Sequence, residues 1–442
     1  MRLSKAIGIG RGDVVALVGA GGKSTAMFRL AGELTSDGWK VITTTTTMVR
    51  RDQRSEHTIL EPDGKTLLEK ARASLRERSH ITVASELREA EGKLAGVDPL
   101  LVDDLVALPE VDAVIVEADG AKGRSLKAPA AHEPVMPAST TILVPVAAVD
   151  AVAKPLDEKA VYRPKMVAGL ADLELGQPIT PQTIASVLVH PEGGMKNVPP
   201  QARVIPLINK VTEGQLQSAR EIAQLLLEEP RVHRVLLGSV AEQDPIEEAW
   251  GRMAVIVLAA GESRRFGSPK QLLPWGEATM LEHVVDTALE SAVDETIVVL
   301  GHRAERIGKL LRNRPVRVVI NQDWQGGLST SVRAGLQALP ANYEACLFLL
   351  GDQPNVTPQL IDTILKRYRR TLAPVVAPSY RGRRGNPVLF SNSLFPELLT
   401  MEGDQGGREV IRRHQDEMET VEAEQEDLFL DIDTVADYEG AR

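Results

Sequence analysis

The sequence predicts an α/β protein made of two domains, on the basis of its length and the order of its elements. The chain has 442 residues, about twice the size at which a single core stops growing. Short β-rich runs alternate with helical patterns, which favours parallel sheets covered by helices. The pattern stops at the polar segment 241–252 and then restarts. We therefore predict one domain over residues 1–245 and a second over residues 250–442.

The strands are expected where apolar and β-branched residues cluster between turn residues. In the first domain these runs are DVVALVGA (13–20), WKVITTTTT (39–47), DAVIVEADG (112–120), TTILVPVAAVD (140–150), ARVIPLINKV (202–211) and HRVLLGSV (233–240). In the second they are MAVIVLAAG (253–261), ETIVVLGH (295–302), VRVVINQ (316–322), ACLFLLGD (345–352), APVVAPSY (373–380) and GNPVLF (385–390). The two sets differ in sequence, so the domains are not an internal repeat.

Composition excludes several functional classes. Hydrophobic residues make up 43% of the chain and the formal net charge is −10, which argues against general binding to nucleic acid. Cys346 is the one cysteine, so disulfides and thiolate clusters within the chain are excluded. No apolar run reaches the length of a membrane span. We expect a cytoplasmic protein that binds neither nucleic acid nor membrane.

A glycine-rich turn follows the first strand, in the sequence GAGGKST. Glycines allow backbone N–H groups to approach phosphate oxygens, and the lysine and hydroxyl groups suit a phosphate with Mg²⁺. Position 17 is Leu17, so the full Walker spacing is absent, and Ser24 breaks the dinucleotide pattern. The alternative is a structural turn with a solvated lysine. The predicted nucleotide-binding residues are Gly19, Gly21, Gly22, Lys23, Ser24 and Thr25.

Two carboxylates follow a later strand of the same domain. Glu117 and Asp119 are candidate Mg²⁺ ligands, or alternatively a charged pair that closes the strand. The sequence INKV is followed by Thr212, and threonine cannot accept the two guanine N–H groups that an aspartate accepts. Guanine specificity is therefore not predicted. The run Thr43–Thr47 is interpreted as strand.

The motifs VALVGAGGKST, VIVEADGAKGRSLKAPAAHEPVMP and INKV, spread over residues 12–240, resemble the YqeC family. That family is linked to the maturation of selenium-dependent molybdenum hydroxylases, and its reaction is not established. The resemblance implies a P-loop domain that binds ATP or GTP and has an apo molybdenum hydroxylase as a partner.

The second domain has its own glycine-containing turn, LAAGESRRFGSPK. Arg265 and Lys270 place two cations near the strand end, which suits a triphosphate that loses pyrophosphate. Asp352 follows the apolar strand CLFLL, where a metal-holding carboxylate is expected on an open α/β sheet; a helix cap is the alternative. Of Asp431 and Asp433, we favour Asp433 as the second metal ligand.

This region resembles the molybdenum cofactor cytidylyltransferase (MocA-like) family. The resemblance rests on LAAGESRRFGSPK, NQDWQGGLSTSVRAGL, GDQP, GNPVLF, GDQGGR and DIDT, which extend over residues 253–436. It implies a Rossmann-like nucleotidyltransferase whose cofactor is Mg²⁺, held by Asp352 and Asp433. Val435 stands where the family often has proline.

The resemblance also implies roles for further residues. Arg265 and Lys270 would clamp the triphosphate with the loop residues Leu258, Ala259, Ala260 and Gly261. Gly327, Ser329 and Ser331 would meet the base, ribose or acceptor phosphate, unless the serines only cap a helix. The acceptor site would be bordered by Asn386, Pro387, Asp404 and Arg408.

The function expected from these residues is CTP:molybdopterin cytidylyltransferase, with CTP and molybdopterin as substrates. One alternative is a nucleotidyltransferase that acts on another small phosphorylated acceptor. The other is a non-catalytic, nucleotide-gated carrier of the cofactor, against which the cations of the second domain argue.

Overall fold

The structure is a computed structural model that describes residues 1–50, 55–262, 266, 269–403, 407–429, 431–432 and 434–441. It divides into two compact units, Met1–Trp250 and Gly251–Arg442. Both are α/β, as predicted.

The first unit begins with helix α1 and ends with strand β15. Its strands are β1 Asp13–Gly19, β2 Val41–Thr45, β3 Val49–Arg50, β4 Thr58–Leu60, β5 His80–Ala84, β6 Glu86–Arg88, β7 Lys93–Ala95, β8 Ala113–Glu117, β9 Leu126–Lys127, β10 Ile142–Ala148, β11 Val161–Tyr162, β12 Arg203–Val204, β13 Leu207–Asn209, β14 Val235–Gly238 and β15 Ile246–Trp250. Its helices are α1 Leu3–Ile7, α2 Lys23–Ser36, α3 Gly64–Glu77, α4 Pro99–Val106, α5 Pro164–Ala171, α6 Pro181–Val189 and α7 Leu216–Leu227.

The main sheet of the first unit has the order β15-β14-β13-β10-β1-β8-β2-β5-β4, with β12 paired to β10. Strand β1 lies between β10 and β8 and is parallel to both. It is buried on both faces, which explains its unbroken apolar sequence. The loop after β1, the end of β8 and the end of β13 therefore meet at one edge of the sheet.

Two details of this unit differ from the expectation. The run predicted as one strand over residues 202–211 forms β12 and β13, separated at Pro206, whose nitrogen has no hydrogen to donate to a ladder. The polar segment expected to join the domains contains β15, which pairs antiparallel with β14. Its buried residues, among them Ile246 and Trp250, explain why it belongs to the first sheet.

The second unit is built on strand β16. Its strands are β16 Arg252–Ala259, β17 Pro274–Trp275, β18 Ala278–Thr279, β19 Glu295–Leu300, β20 Arg317–Ile320, β21 Tyr343–Leu350, β22 Val375–Tyr380, β23 Arg383–Arg384, β24 Val388–Ser391 and β25 Glu419–Glu422. Its helices are α8 Met280–Glu290, α9 Ala304–Gly308, α10 Leu328–Ala338, α11 Pro358–Thr371, α12 Phe395–Leu399, α13 Arg408–Arg413 and α14 Val435–Gly440.

The main sheet of the second unit is mixed. Its order is β20-β19-β16-β21-β24-β22-β23, with β25 paired to β22. Strands β20, β19, β16 and β21 are parallel, whereas β24 runs antiparallel to β21 and β22. The carboxyl ends of β16, β19 and β21 consequently open on one edge, where ligands bind in open α/β sheets.

Buried apolar side chains fill both faces of each main sheet. Cys346 lies inside β21, where burial raises the pKa of its thiol. Among the described helices, none combines the length and the apolar character needed to cross a membrane.

Candidate functional sites

The turn after β1 is a tight loop that requires glycine. Gly21 and Gly22 have φ angles of +91° and +130°, a region that other residues rarely adopt. A Cβ on Gly21 would lie 2.6 Å from the backbone nitrogen of Ala148, and one on Gly22 would lie 2.2 Å from Nδ2 of Asn209. Asn209 also donates from Nδ2 to the carbonyl oxygen of Gly21, at 2.7 Å. The loop is thus held against the ends of β10 and β13.

Lys23 begins helix α2 and is almost fully buried, with 4% exposure. Its Nζ donates to the carbonyl oxygen of Gly19 at 2.6 Å, and it lies 3.2 Å from Asp119 and 3.7 Å from Glu117. Burial lowers the pKa of Lys23, but the two carboxylates outweigh burial and the pKa is raised. Lys23 is therefore a buried cation, and the alternative of a solvated lysine does not apply.

Glu117 lies at the end of β8, beside the loop. Its Oε2 accepts a hydrogen bond of 2.8 Å from the Ser24 hydroxyl. Burial raises the pKa of Glu117, although Lys23 opposes this shift. Thr45 Oγ1 donates to the Glu117 carbonyl at 2.9 Å and fixes the strand end. A hydroxyl and a carboxylate that meet beside a glycine loop form a donor set that fits Mg²⁺.

Asp119 occupies a different position from Glu117. Its two carboxylate oxygens accept from the backbone N–H of Gly19, at 3.1 and 3.0 Å. Lys127 Nζ lies 2.8 Å from Oδ2, and Lys23 lies on the other oxygen. Both oxygens of Asp119 thus accept from protein donors, and Asp119 stabilises the loop through the backbone of Gly19 and through Lys23. Of the two carboxylates, only Glu117 lines the cavity described below.

The ion pairs of Asp119 continue into a chain of charged side chains that the sequence analysis missed, all of them buried except the partly exposed Arg163. Lys127 Nζ also lies 2.9 Å from Oε2 of Glu133, and Arg163 Nη1 lies 2.6 Å from the same oxygen. Burial raises the pKa of Glu133, but hydrogen bonds from Arg163 and Lys127 outweigh burial and lower it to about 2. We call the series Lys23, Asp119, Lys127, Glu133 and Arg163 the charge chain.

A cavity of about 610 Å³ opens beside the glycine loop. It brings together Gly21, Gly22, Lys23, Ser24, Thr25 and Glu117 of the predicted site. Further lining residues that the argument uses below are Lys122, Arg124, His132, Tyr162, Arg163 and Lys210. Thr47, the last residue of the threonine run, lies beyond the end of β2 and also lines the cavity.

In the second unit, the predicted loop Leu258–Gly261 lies at the carboxyl end of β16. Gln271, which is buried, donates from Nε2 to the carbonyl oxygens of Ala259 and Gly261, both at 3.1 Å. The carbonyl oxygen of Ala260 accepts from the backbone of His302 at 3.0 Å. Gln271 therefore shapes the loop, a role that the sequence analysis missed. Ser263, Arg265 and Gly267 lie outside the described residues.

Lys270 and Asp352 form an ion pair at this edge. Their side chains are 16% and 19% exposed, so the pair is reached from solvent but largely enclosed. Asp352 was expected to hold a metal and Lys270 to clamp the triphosphate, whereas in the structure the two side chains pair with each other. Thr357 caps helix α11, so Asp352 does not serve as that cap.

The C-terminal segment returns to the same place. The backbone N–H of Ile432 donates to the carbonyl oxygen of Asp352 at 3.1 Å. Gln353, 1% exposed, donates from Nε2 to Asp431 at 2.7 Å, and its Oε1 is buried with no hydrogen bond to a described group. Asp433 lies outside the described residues. The carboxylates of Asp352 and Asp431 and the amide oxygen of Gln353 are of the type that Mg²⁺ prefers, but no three His, Cys, Asp or Glu side chains of the described residues form a metal cluster.

The predicted helix start at Gly327 is also present. Gly327, with φ +97°, is the N-cap of α10, and no side chain caps this helix, so the serines are not caps. Ser329 donates from its backbone to Gly403 at 3.1 Å, while its buried hydroxyl oxygen has no hydrogen bond within the described part of the chain. Ser331 accepts from Nδ2 of Asn321 at 3.0 Å. Ser329 is thus buried with a hydroxyl left unsatisfied by the described residues, and it does not line the cavity described next.

A second cavity, of about 450 Å³, lies in this unit. Its walls include the apolar residues Leu258, Phe348, Leu350, Phe390 and Phe429, with Gln353, Asn386, Arg384, Arg408 and Asp431 as polar groups. Burial lowers the pKa of Arg384, and the charge of Arg408 lowers it further. Asn386 and Arg408, which were expected to border the acceptor site, line this cavity, and Pro387 does not. Arg384 was not predicted, and Asp404 lies outside the described residues.

Together, the fold and these sites define a protein of two α/β units, each with a glycine-containing loop at the carboxyl end of its central strand. Residues 15–165 match the model of the YqeC protein family, and residues 255–418 match that of the MobA-like NTP transferase domain. The chain belongs to both families, one in each unit. Its second unit is a nucleotidyltransferase of the MobA-like family.

Three relatives cover the two units separately. The chain is 31% identical to the uncharacterised protein YqeC of Escherichia coli K12, over 53% of this chain and 91% of that protein. It is 30% identical to nicotine blue oxidoreductase of Paenarthrobacter nicotinovorans, over 41% of this chain and 91% of that protein. It is 29% identical to the molybdenum cofactor cytidylyltransferase of E. coli K12, over 41% of this chain and 92% of that protein.

Proposed function

We propose that the second unit transfers CMP from CTP to molybdopterin and releases pyrophosphate. The observation that carries this proposal is the 450 Å³ cavity, in which Arg384 and Arg408 face apolar and aromatic walls. A flat heterocycle with a terminal phosphate matches such a cavity, because rings pack on aromatic side chains and phosphate pairs with arginine. The E. coli cytidylyltransferase among the relatives supports the same substrates.

The reaction needs positioning and charge more than a protein nucleophile. An oxygen of the acceptor's ionised phosphate forms a bond to the α-phosphorus of CTP, the bond from that phosphorus to the bridging oxygen breaks, and pyrophosphate leaves. Backbone N–H groups after β16 and the Lys270 ammonium bind the phosphates, as does Arg265 in the proposed site. Asp352, with Asp433, would hold Mg²⁺, which supplies charge neutralisation between the two anions. Lys270 leaves Asp352 as the triphosphate arrives.

The acceptor specificity is proposed to come from the cavity walls. Asn386 and Arg408 line the cavity and border the acceptor. The proposed contact of Ser329 with the ribose or a phosphate rests on the family resemblance and on its hydroxyl having no partner among the described residues. CTP is the proposed donor because the loop at the carboxyl end of β16 has the sequence LAAG, which is the form typical of the cytidylyltransferase family that this unit resembles.

For the first unit we propose a P-loop that binds ATP or GTP, with Mg²⁺ held by Ser24 and Glu117. This unit would act in the maturation of a molybdenum hydroxylase that uses the cytidylylated cofactor, with the apo hydroxylase as its partner. The support is the buried Lys23 at the N-terminus of α2 and the hydroxyl-to-carboxylate contact beside it.

The experiment incubates the full chain with Mg²⁺, molybdopterin and each of the four NTPs in turn, and records pyrophosphate and the mass of the product. We expect pyrophosphate and a CMP adduct with CTP, and less than a tenth of that rate with GTP, because a donor pocket that hydrogen-bonds cytosine leaves polar groups unpaired with guanine.

Pyrophosphate without a molybdopterin adduct would indicate another phosphorylated acceptor. Release of pyrophosphate with GTP as the better donor would contradict the choice of CTP. No pyrophosphate with any NTP would contradict the transfer itself and would favour a carrier that binds the cofactor without reaction.

A further inference from the structure

The cavity of the first unit lies on both sides of the glycine loop. Strand β1 is at the centre of the sheet, with β10 and β13 on one side and β8 and β2 on the other. Lys210, which follows β13, lines the cavity on the side of β10 and β13. Lys122 and Arg124, which follow β8, line it on the side of β8 and β2. When the phosphates of one nucleotide bind the loop, its base extends to one side of the loop only. The other side of the cavity then stays open.

The side next to β8 is rich in cations. Lys122 and Arg124 line it and form no ion pair with any described residue. Lys122 Nζ lies 5.2 Å from the centroid of the Tyr162 ring, a contact that steadies the ammonium without neutralising it. His132 lines the same wall.

The carboxylates of this cavity do not balance these cations. Glu117 is paired with Lys23 and accepts from Ser24, and Glu133 is paired with Lys127 and Arg163. Both carboxylates are thus committed to the loop and the charge chain. The positive charge of the β8 side therefore remains for a ligand.

We propose that the β8 side of this cavity binds a second ligand, a small phosphorylated molecule, next to the terminal phosphate of the nucleotide on the loop. Lys122 and Arg124 are its principal contacts. The cavity measures about 610 Å³ and is lined by Lys122 and Arg124 as well as by the glycine loop. The inference rests on the proposed nucleotide binding by the loop, and makes the first unit a two-substrate site rather than a nucleotide switch.

The test uses calorimetry on the full chain, saturated first with Mg²⁺ and a non-hydrolysable ATP or GTP analogue, whichever binds. Inorganic phosphate is then titrated as the probe. We expect phosphate to bind the loaded protein, and to bind at least tenfold more weakly to the double variant Lys122→Ala with Arg124→Ala. The matched control is Lys65→Ala with Arg76→Ala, two exposed cations on α3, which should leave phosphate binding unchanged.

The outcomes separate this inference from the proposed nucleotide site. If Lys23→Ala still binds the analogue, the nucleotide proposal is wrong. If the loaded wild type binds no phosphate, or the Lys122 and Arg124 variant binds it as well as the control, the second site is wrong. If that variant loses the analogue as completely as Lys23→Ala, its cations belong to the nucleotide site and the second site is again wrong.

Discussion

Replacing Glu133 by Gln tests how much the charge chain contributes to stability. The pKa of Glu133 is about 2, against an ordinary 4.5, and each pKa unit corresponds to about 1.36 kcal/mol. Because Glu133 is only 6% exposed, the ionised carboxylate should contribute about 3 kcal/mol to the free energy of unfolding. Glutamine keeps the shape of the side chain but leaves Lys127 and Arg163 without their shared anion.

The sign of the pH dependence follows from the lowered pKa. The unfolded chain takes up a proton at Glu133 near pH 4.5, whereas the folded chain does so only near pH 2. The stabilisation by Glu133 is therefore complete above about pH 5 and is lost as the pH falls from 4.5 towards 2. Wild type and variant should differ by a constant amount between pH 5 and 7, and converge below that interval.

The measurement is native-state hydrogen exchange of the full chain, followed by mass spectrometry on peptides from β8 and β10, because two units preclude a single two-state melt. Glu158→Gln, at an exposed position of the same unit, is the matched control and should change protection by less than about 0.5 kcal/mol. A loss below about 1 kcal/mol at pH 7, or a difference that persists unchanged at pH 3, would refute the reasoning.

Three further predictions concern the two loops and the division of the chain. Asp352→Asn should lower pyrophosphate release with CTP and molybdopterin about a hundredfold or more, while hydrogen-exchange protection of the second unit is unchanged. Exposed Asp416→Asn is its control, and near-normal turnover would remove Asp352 from the site. Gly21→Ala should destabilise the first unit by about 1–3 kcal/mol, more than Gly123→Ala, whose added Cβ meets nothing within 4 Å. Equal losses of hydrogen-exchange protection in the first unit would contradict the tight fit of the loop. A fragment starting at Gly251 should fold, by circular dichroism, and should use CTP better than GTP, because its sheet is complete within that span.

The sequence predicts the central strands well because apolar runs between turn residues leave little choice of position. Strand β15 escaped prediction because it combines acidic residues with buried ones, so its pattern resembles a linker until its partner β14 is known. That β24 runs antiparallel to β21 was likewise not predictable, because strand direction is set by the connections and not by the residues within the strand. Direction within a sheet depends on the connections, which periodicity does not report.

The candidate sites were predictable where neighbouring residues act together. The glycine loop with Lys23 and Ser24 is contiguous, and so its role can be inferred from spacing. Arg163 lies 30 residues from Glu133 in the sequence, and nothing in HEP or YRPK indicates that Lys127 and Arg163 share the Glu133 carboxylate. Gln271 was missed for the same reason, since its bonds to the loop are visible only after folding.

The charge chain also limits how this family can evolve. A single neutral replacement at Lys127 or Glu133 removes one of the two ionic partners of a neighbouring buried charge. Its cost should approach the roughly 3–5 kcal/mol of a broken buried pair, a large share of the roughly 5–15 kcal/mol that stabilises a domain. A homologue that loses one residue of the charge chain must either tolerate this loss of stability or replace the residue that pairs with it at the same time. Lys23, Asp119, Lys127, Glu133 and Arg163 should therefore be inherited as a set, and where they vary among homologues they should vary in concert.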